Sequence, residues 1–301
     1  MKGFLKFLLI FASILLLSAF LAPLFYDLFQ TFHPYKFERI FQRIVMILSL
    51  VAVVFFVRIK KDTWAVYGLV RKPQSPGLFA TGFMAGILVL GLVGVLRVLC
   101  GQASFVPEAL PWWEWILKFV LALGTGLLVG LLEEFFFRGF IFRSLMRLMK
   151  NRVFLSILIT TSFYAIIHFI GMKKIFVDST PDFIDGLRLI GAPFLSLAEW
   201  PKFWPEAAGL FLFGLALNSA AYRSGSLYSS IGFHAGCVFF VRIDDTFLQF
   251  QTGRSFFWGS KVLYDGVLGW FLLGIMALIF WRVLKPSGSA AAAVPSGAPG
   301  A

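Results

Sequence analysis

Long uncharged runs alternate with short basic segments along most of this 301-residue chain. A hydrocarbon core about 30 Å thick takes roughly 20 apolar residues per helix, with about 17–25 tolerated. Eight runs approach that length: 7–26, 41–57, 77–96, 118–137, 153–170, 206–222, 226–241 and 264–281. The predicted fold class is all-α, a polytopic transmembrane helix bundle of about eight spans. Arg43 interrupts the second run. Lys2 and Lys6 ahead of the first run suit a signal peptide, but the apolar stretch is long for one and reads as an anchor. The connection 171–205, with Asp178, Asp182, Asp185 and Trp200, is the longest and is read as a loop. Residues 286–301 contain only Pro, Ser, Gly, Ala and one Val, and are expected to form a disordered tail. The expected organisation is three helices and their loops over 1–114, a transmembrane core over 115–241, a last loop and span over 242–285, and the tail.

Composition narrows the class further. The chain is 59% hydrophobic and 14% charged, against about 45–50% and about 25% in soluble domains. Two cysteines rule out a disulfide scaffold; Cys100 and Cys237 are expected as free, buried thiols. The net charge of +12 is spread between apolar runs, which argues against nucleic acid as a partner. With the N-terminus inside, the inner segments hold 15 of the 27 basic residues in a much shorter total length. That bias supports cytoplasmic termini, and the membrane is expected to be the cell (inner) membrane.

Ionisable residues inside the runs carry the chemistry. The fourth run ends in Glu133-Glu134-Phe-Phe-Phe-Arg138. A charge deep in a bilayer costs on the order of 2.5–3.5 kcal/mol on insertion scales, so these three must neutralise one another or face water. Glu134 and Arg138 are four apart and share a helix face. Glu133 is turned about 100° away, which leaves one carboxylate for chemistry. Gly126 and Gly130 extend the Glu134–Arg138 stripe and would let another helix approach, while Phe135–Phe137 read as lipid contacts. His168 closes the fifth run and His234 lies in the seventh; His33, in the first loop, is given no role. Glu133 lies 18 residues before Asn151 and His168 lies 17 after it. Antiparallel helices turning at Asn151 would therefore bring the two to nearly one height, about 26 Å from the turn. Either the stretch Arg138–Lys150 projects beyond the membrane as a helical extension, or the site lies in the outer half.

At these residues the sequence resembles the CPBP family of intramembrane proteases, which unites type II CAAX prenyl endopeptidases with bacteriocin-processing and self-immunity proteins. Its E-E-x-x-x-R signature is met by Glu133, Glu134 and Arg138, and its F-x-x-x-H signature as Tyr164-x-x-x-His168. Its H-x-x-x-N signature is met at His234 but ends in Val238. The resemblance spans about residues 115–240 and implies an endopeptidase acting on a peptide or protein substrate, lipidated in part of the family. It implies Glu133 as general base, Glu134 and Arg138 as orienting groups, His168 on the water and His234 as oxyanion donor. Val238 lacks the family asparagine's donor, and loss of one such donor costs about 10²–10³ in rate. Ser230 and Asn218 are the candidate substitutes.

No cofactor is predicted outright. Zinc or another divalent metal held by Glu133, His168 and His234 is the alternative to a metal-free mechanism. H-E-x-x-H and G-x-S-x-G are both missing from the sequence. The competing functions are a non-catalytic membrane protein that binds a bacteriocin-like partner and confers immunity, and a proton-coupled transporter. The latter predicts an internal repeat, and none is clear.

Overall fold

The computed structural model describes residues 2–30, 36–59, 63–70, 72–168, 180–196, 200–250 and 255–284. The expected tail and His33 fall outside them. Helices occupy all eight predicted runs. They are α1 (Lys2–Gln30), α2 (Phe37–Ile59), α3 (Ser75–Leu99), α4 (Trp112–Glu134), α6 (Val153–His168), α8 (Trp200–Ser224), α9 (Tyr228–Ile243) and α10 (Val267–Val283). Among the described residues, four helical stretches are long and apolar enough to cross a membrane: Leu9–Gln30, Phe37–Ile59, Ser75–Leu99 and Trp112–Leu148. Val153–His168 and Val267–Val283 are apolar but shorter.

Several expectations need correction. The segment read as a loop contains a further helix, α7 (Phe183–Ser196). Asp182 and Asp185 cap its start reciprocally, each carboxylate accepting the other's backbone N–H at 3.0–3.2 Å. The chain is also not purely helical, since β1 (Ala103–Phe105) pairs antiparallel with β2 (Leu248–Phe250). Cys237 is buried as expected, but Cys100, just past the end of α3, is exposed.

Beyond Glu134 the helix does not continue as α. Phe135–Phe142 forms a π-helical stretch, followed by α5 (Arg143–Leu148). Such wide turns are rare and appear mostly as single-turn bulges, frequently at functional sites. The wider turn and its neighbours bury Phe135 and Phe137, which correct the lipid-contact reading. Phe135 packs on Trp64 and Tyr67, and Phe137 packs edge-on against Tyr164. The 37-residue stretch Trp112–Leu148 would run roughly 55 Å as a helix, well beyond a core of about 30 Å. The chain reverses at Lys150 and Asn151, both with positive φ, at the turn the sequence marked.

The chain divides into two compact units, one of Met1–Asp62 with Ile166–Phe203 and one of Thr63–Ala165 with Trp204–Ala301. In the first, Ala19 and Ala22 of α1 pack with Phe37, Ile40 and Phe41 of α2 and Leu189 of α7. In the second, α9 is the central helix. Its Gly232 and Gly236 lie against the backbone at Phe79 and Phe83 of α3, whose Gly82 and Gly86 lie in turn against α9. Gly126 and Gly130 of α4 meet the backbone of α9 at Ala235, as the small-residue spacing predicted. At the α8–α9 turn, Gly225 takes a positive φ and its carbonyl accepts from Arg143 Nη2 at 3.1 Å.

Candidate active site

Glu133 and Glu134 end α4, Arg138 lies one turn on in the π stretch, and His234 lies in α9 between the two glycines that seat that helix on α3. Arg138 Nη1 donates to Glu134 Oε1 at 2.9 Å, and both side chains are 0% exposed. The same oxygen lies 3.0 Å from His234 Nδ1. A carboxylate that accepts from a guanidinium can only accept from the imidazole too, so Nδ1 carries hydrogen and the ring's orientation and tautomer are set. The ring is steadied from the side by Phe213, edge-on at 5.1 Å.

Nε2, on the other edge of His234, lies 3.9 Å from Glu133 Oε2. That is too long for a direct hydrogen bond. The two carboxylates differ sharply in access: the Glu133 side chain is 24% exposed and that of Glu134 is sealed. One of the pair is thus a fixed internal charge, and the other is partly exposed with its Oε2 buried toward His234.

Arg138 is itself held on two sides. Its Cζ lies 4.3 Å over the Tyr164 ring, and its Nη2 donates to the Gly214 carbonyl at 3.4 Å. Tyr164 had been read only as a variant of a signature aromatic; its ring is a platform for the guanidinium. Gly214 was missed as a site residue. Its sequence signal is weak, being one glycine in an apolar run, and only the approach of α6 shows why a side chain is excluded there.

The structure brings Glu133, Glu134, Arg138 and His234 together. His168 is the last residue of α6, half-buried and one turn past Tyr164 on the same face; it falls in the other compact unit. The two candidate substitute donors are already engaged. Ser230 Oγ donates to the Leu227 carbonyl at 3.1 Å, and Asn218 Nδ2 donates to Thr161 Oγ1 and to the Gly214 carbonyl. Val238 lies one turn beyond His234, half-buried. Among the described residues no three of His, Cys, Asp and Glu gather as a metal-ligand set. His234 has Nδ1 committed to Glu134 and turns Nε2 toward Glu133, an orientation also usual for a metal-ligating histidine.

Neither the curated proteins nor the solved structures include a match to this chain. A family model described as type II CAAX prenyl endopeptidase Rce1-like matches residues 113–240, the stretch that runs from the start of α4 through the glutamate pair to just past His234. Residues 113–240 thus carry an Rce1-like domain of the CPBP type.

Proposed function

We propose that this protein is an intramembrane endopeptidase that cleaves a peptide bond with a water activated by Glu133. The observation that carries the reading is the asymmetry of the carboxylate pair: Glu134 is sealed between Arg138 and His234, while Glu133 is partly exposed and turns its buried Oε2 to His234 Nε2 across 3.9 Å. A gap of that size suits one water bonded to both groups at about 2.8 Å each. Glu133 takes a proton from the water as its oxygen bonds to the scissile carbonyl carbon. The tetrahedral intermediate then collapses, the C–N bond breaks, and Glu133 returns the proton to the leaving amine. His234, with Nδ1 committed to Glu134, works through Nε2, which accepts from the attacking water and holds it against the scissile carbonyl. His168 is assigned to the water by the F-x-x-x-H resemblance alone. The reaction is read as metal-free.

The substrate is read as a membrane-associated peptide or protein, lipidated as in part of the family. The apolar runs are read as eight spans of the inner membrane, and the basic bias of the segments between them supports cytoplasmic termini. One observation favours a second reading, a non-catalytic immunity protein: Val238 supplies no oxyanion donor, and Ser230 and Asn218 are already bonded. Reconstituted protein incubated with membrane peptides separates the two. Glu133→Gln is expected to lower cleavage at least about 100-fold while the protein remains folded. Cleavage at the parental rate in that variant overturns the glutamate mechanism, and peptide binding without cleavage by the parent selects the second reading.

A further inference from the structure

Arg138 approaches from the π stretch, but its charge is seated between two other helices. One wall is the Tyr164 ring of α6, 4.3 Å from Cζ, and the other is the Gly214 carbonyl of α8, 3.4 Å from Nη2. The width of that slot is the spacing of α6 and α8, and it has no slack. A methyl group at Gly214 would come within 3.2 Å of both Tyr164 Cδ1 and Thr161 Cγ2.

One turn along both helices, a single polar bridge joins them. Asn218 Nδ2 donates to Thr161 Oγ1 at 2.9 Å and to the Gly214 carbonyl at 3.1 Å. Thr161 precedes Tyr164 by three residues and Asn218 follows Gly214 by four, so each shares a helix face with a slot wall. A carbonyl can only accept, which fixes which end of the amide faces it. Thr161 and Asn218 are both fully buried, and Asn218 Oδ1 has no hydrogen-bond partner among the described residues. An unmet buried acceptor is destabilising, and an apolar side chain would fill this place without that penalty. What the amide adds is two directed bonds, one across the helices and one onto the carbonyl that holds Arg138.

We propose that the Thr161–Asn218 bridge positions the catalytic groups. It sets the spacing of α6 and α8 and the direction of the Gly214 carbonyl, so it fixes Arg138, through Arg138 the Glu134 carboxylate, and through Glu134 the ring of His234. Neither residue touches the reacting atoms, and Asn218, its amide hydrogens committed, acts here rather than as an oxyanion donor. The inference rests on the hydrolytic reading given above.

Thr161→Val keeps the side chain's shape and removes the acceptor, while Thr161→Ser keeps the acceptor. Full-length reconstituted protein is assayed for peptide cleavage in both variants, in Asn218→Leu, and in Glu133→Gln as a reference. Thr161→Val is expected to lower kcat about 10–100-fold, the effect of a small misplacement at a reaction centre, with KM unchanged. Asn218→Leu should lose as much, the two together no more than either, and Thr161→Ser should restore most of the loss. Parental kcat in Thr161→Val, whatever its thermal stability, or a Thr161→Ser as slow as the valine variant, makes the bridge a packing contact and overturns the proposal. Cleavage surviving in Glu133→Gln instead overturns the hydrolytic reading, independently of the bridge.

Discussion

Arg138→Met removes a charge from the most enclosed point of the site. Both Arg138 and Glu134 are 0% exposed, and Glu134 Oε1 lies 2.9 Å from the guanidinium and 3.0 Å from His234 Nδ1. Removing one member of a buried pair leaves the other uncompensated, at about 3–5 kcal/mol. The guanidinium's stacking on Tyr164, worth up to about 2 kcal/mol when desolvated, is lost with it. His234 still donates to Glu134, which keeps the expected total near the lower end, about 3–4 kcal/mol. Adding Glu134→Leu removes the orphaned carboxylate. An apolar pair in place of a buried ion pair is often neutral or stabilising by about 1–4 kcal/mol. His234 Nδ1 then loses its acceptor, at about 1–3 kcal/mol. The double variant should therefore unfold later than Arg138→Met in a denaturing-detergent titration. It should stay inactive in peptide cleavage, because nothing orients the imidazole. A single variant as stable as the parent, or a double variant less stable than the single, would show that the buried pair does not hold the site as described.

Two further outcomes follow from other parts of the fold. Gly126→Ala would place a methyl 2.6 Å from the Ala235 carbonyl oxygen, and backbone cannot yield as a side chain can. It should cost about 1–3 kcal/mol and lower cleavage by shifting α9, whereas Gly124→Ala, with nothing within 4 Å, should be neutral or slightly stabilising in the same melting assay. Outside the apolar runs, just past α9, burial and then the charge of Asp245 push the Asp244 carboxyl up to about 7, against the pull of Lys261 and Arg97. The unfolded chain ionises this group first and the folded chain holds its proton longer, so stability should fall as pH rises from about 4 to about 7. Melting temperatures of Asp244→Asn should lack that decline.

Local geometry made half of the site legible. Glu133, Glu134 and Arg138 lie on one helix, where four-residue spacing fixes which pair can meet and which carboxylate is left over. The turn at Lys150–Asn151 was legible for the same reason, as a polar break between apolar runs. The partners of His234 were not. That its Nδ1 meets Glu134 depends on how deeply α9 sits against α4, and no periodicity states a helix–helix distance. The burial of Phe135 and Phe137 was hidden likewise, because a phenylalanine suited to lipid is equally suited to Trp64, Tyr67 or Tyr164. Helix α7 was missed although the Asp182–Asp185 box marks its start. Gly186, Gly191 and Pro193 within it, and its short apolar run, mask that cue.

Helix α3 bears none of the family's signatures, yet it belongs to the machinery. His234 stands between Gly232 and Gly236, and those glycines seat α9 directly on the α3 backbone at Phe79 and Phe83. On its other side α9 is met at Ala235 by Gly126 and Gly130 of α4, the helix that ends in the glutamates. The imidazole is therefore located from two sides by backbone contact, with no long side chain between to absorb an error. A reaction centre tolerates misplacement of only about 0.5 Å. The 3.9 Å between Nε2 and Glu133 Oε2 is consequently set by glycines as much as by the acidic and basic groups. A glycine replaced on α3 should disturb the chemistry as directly as one replaced beside the glutamates.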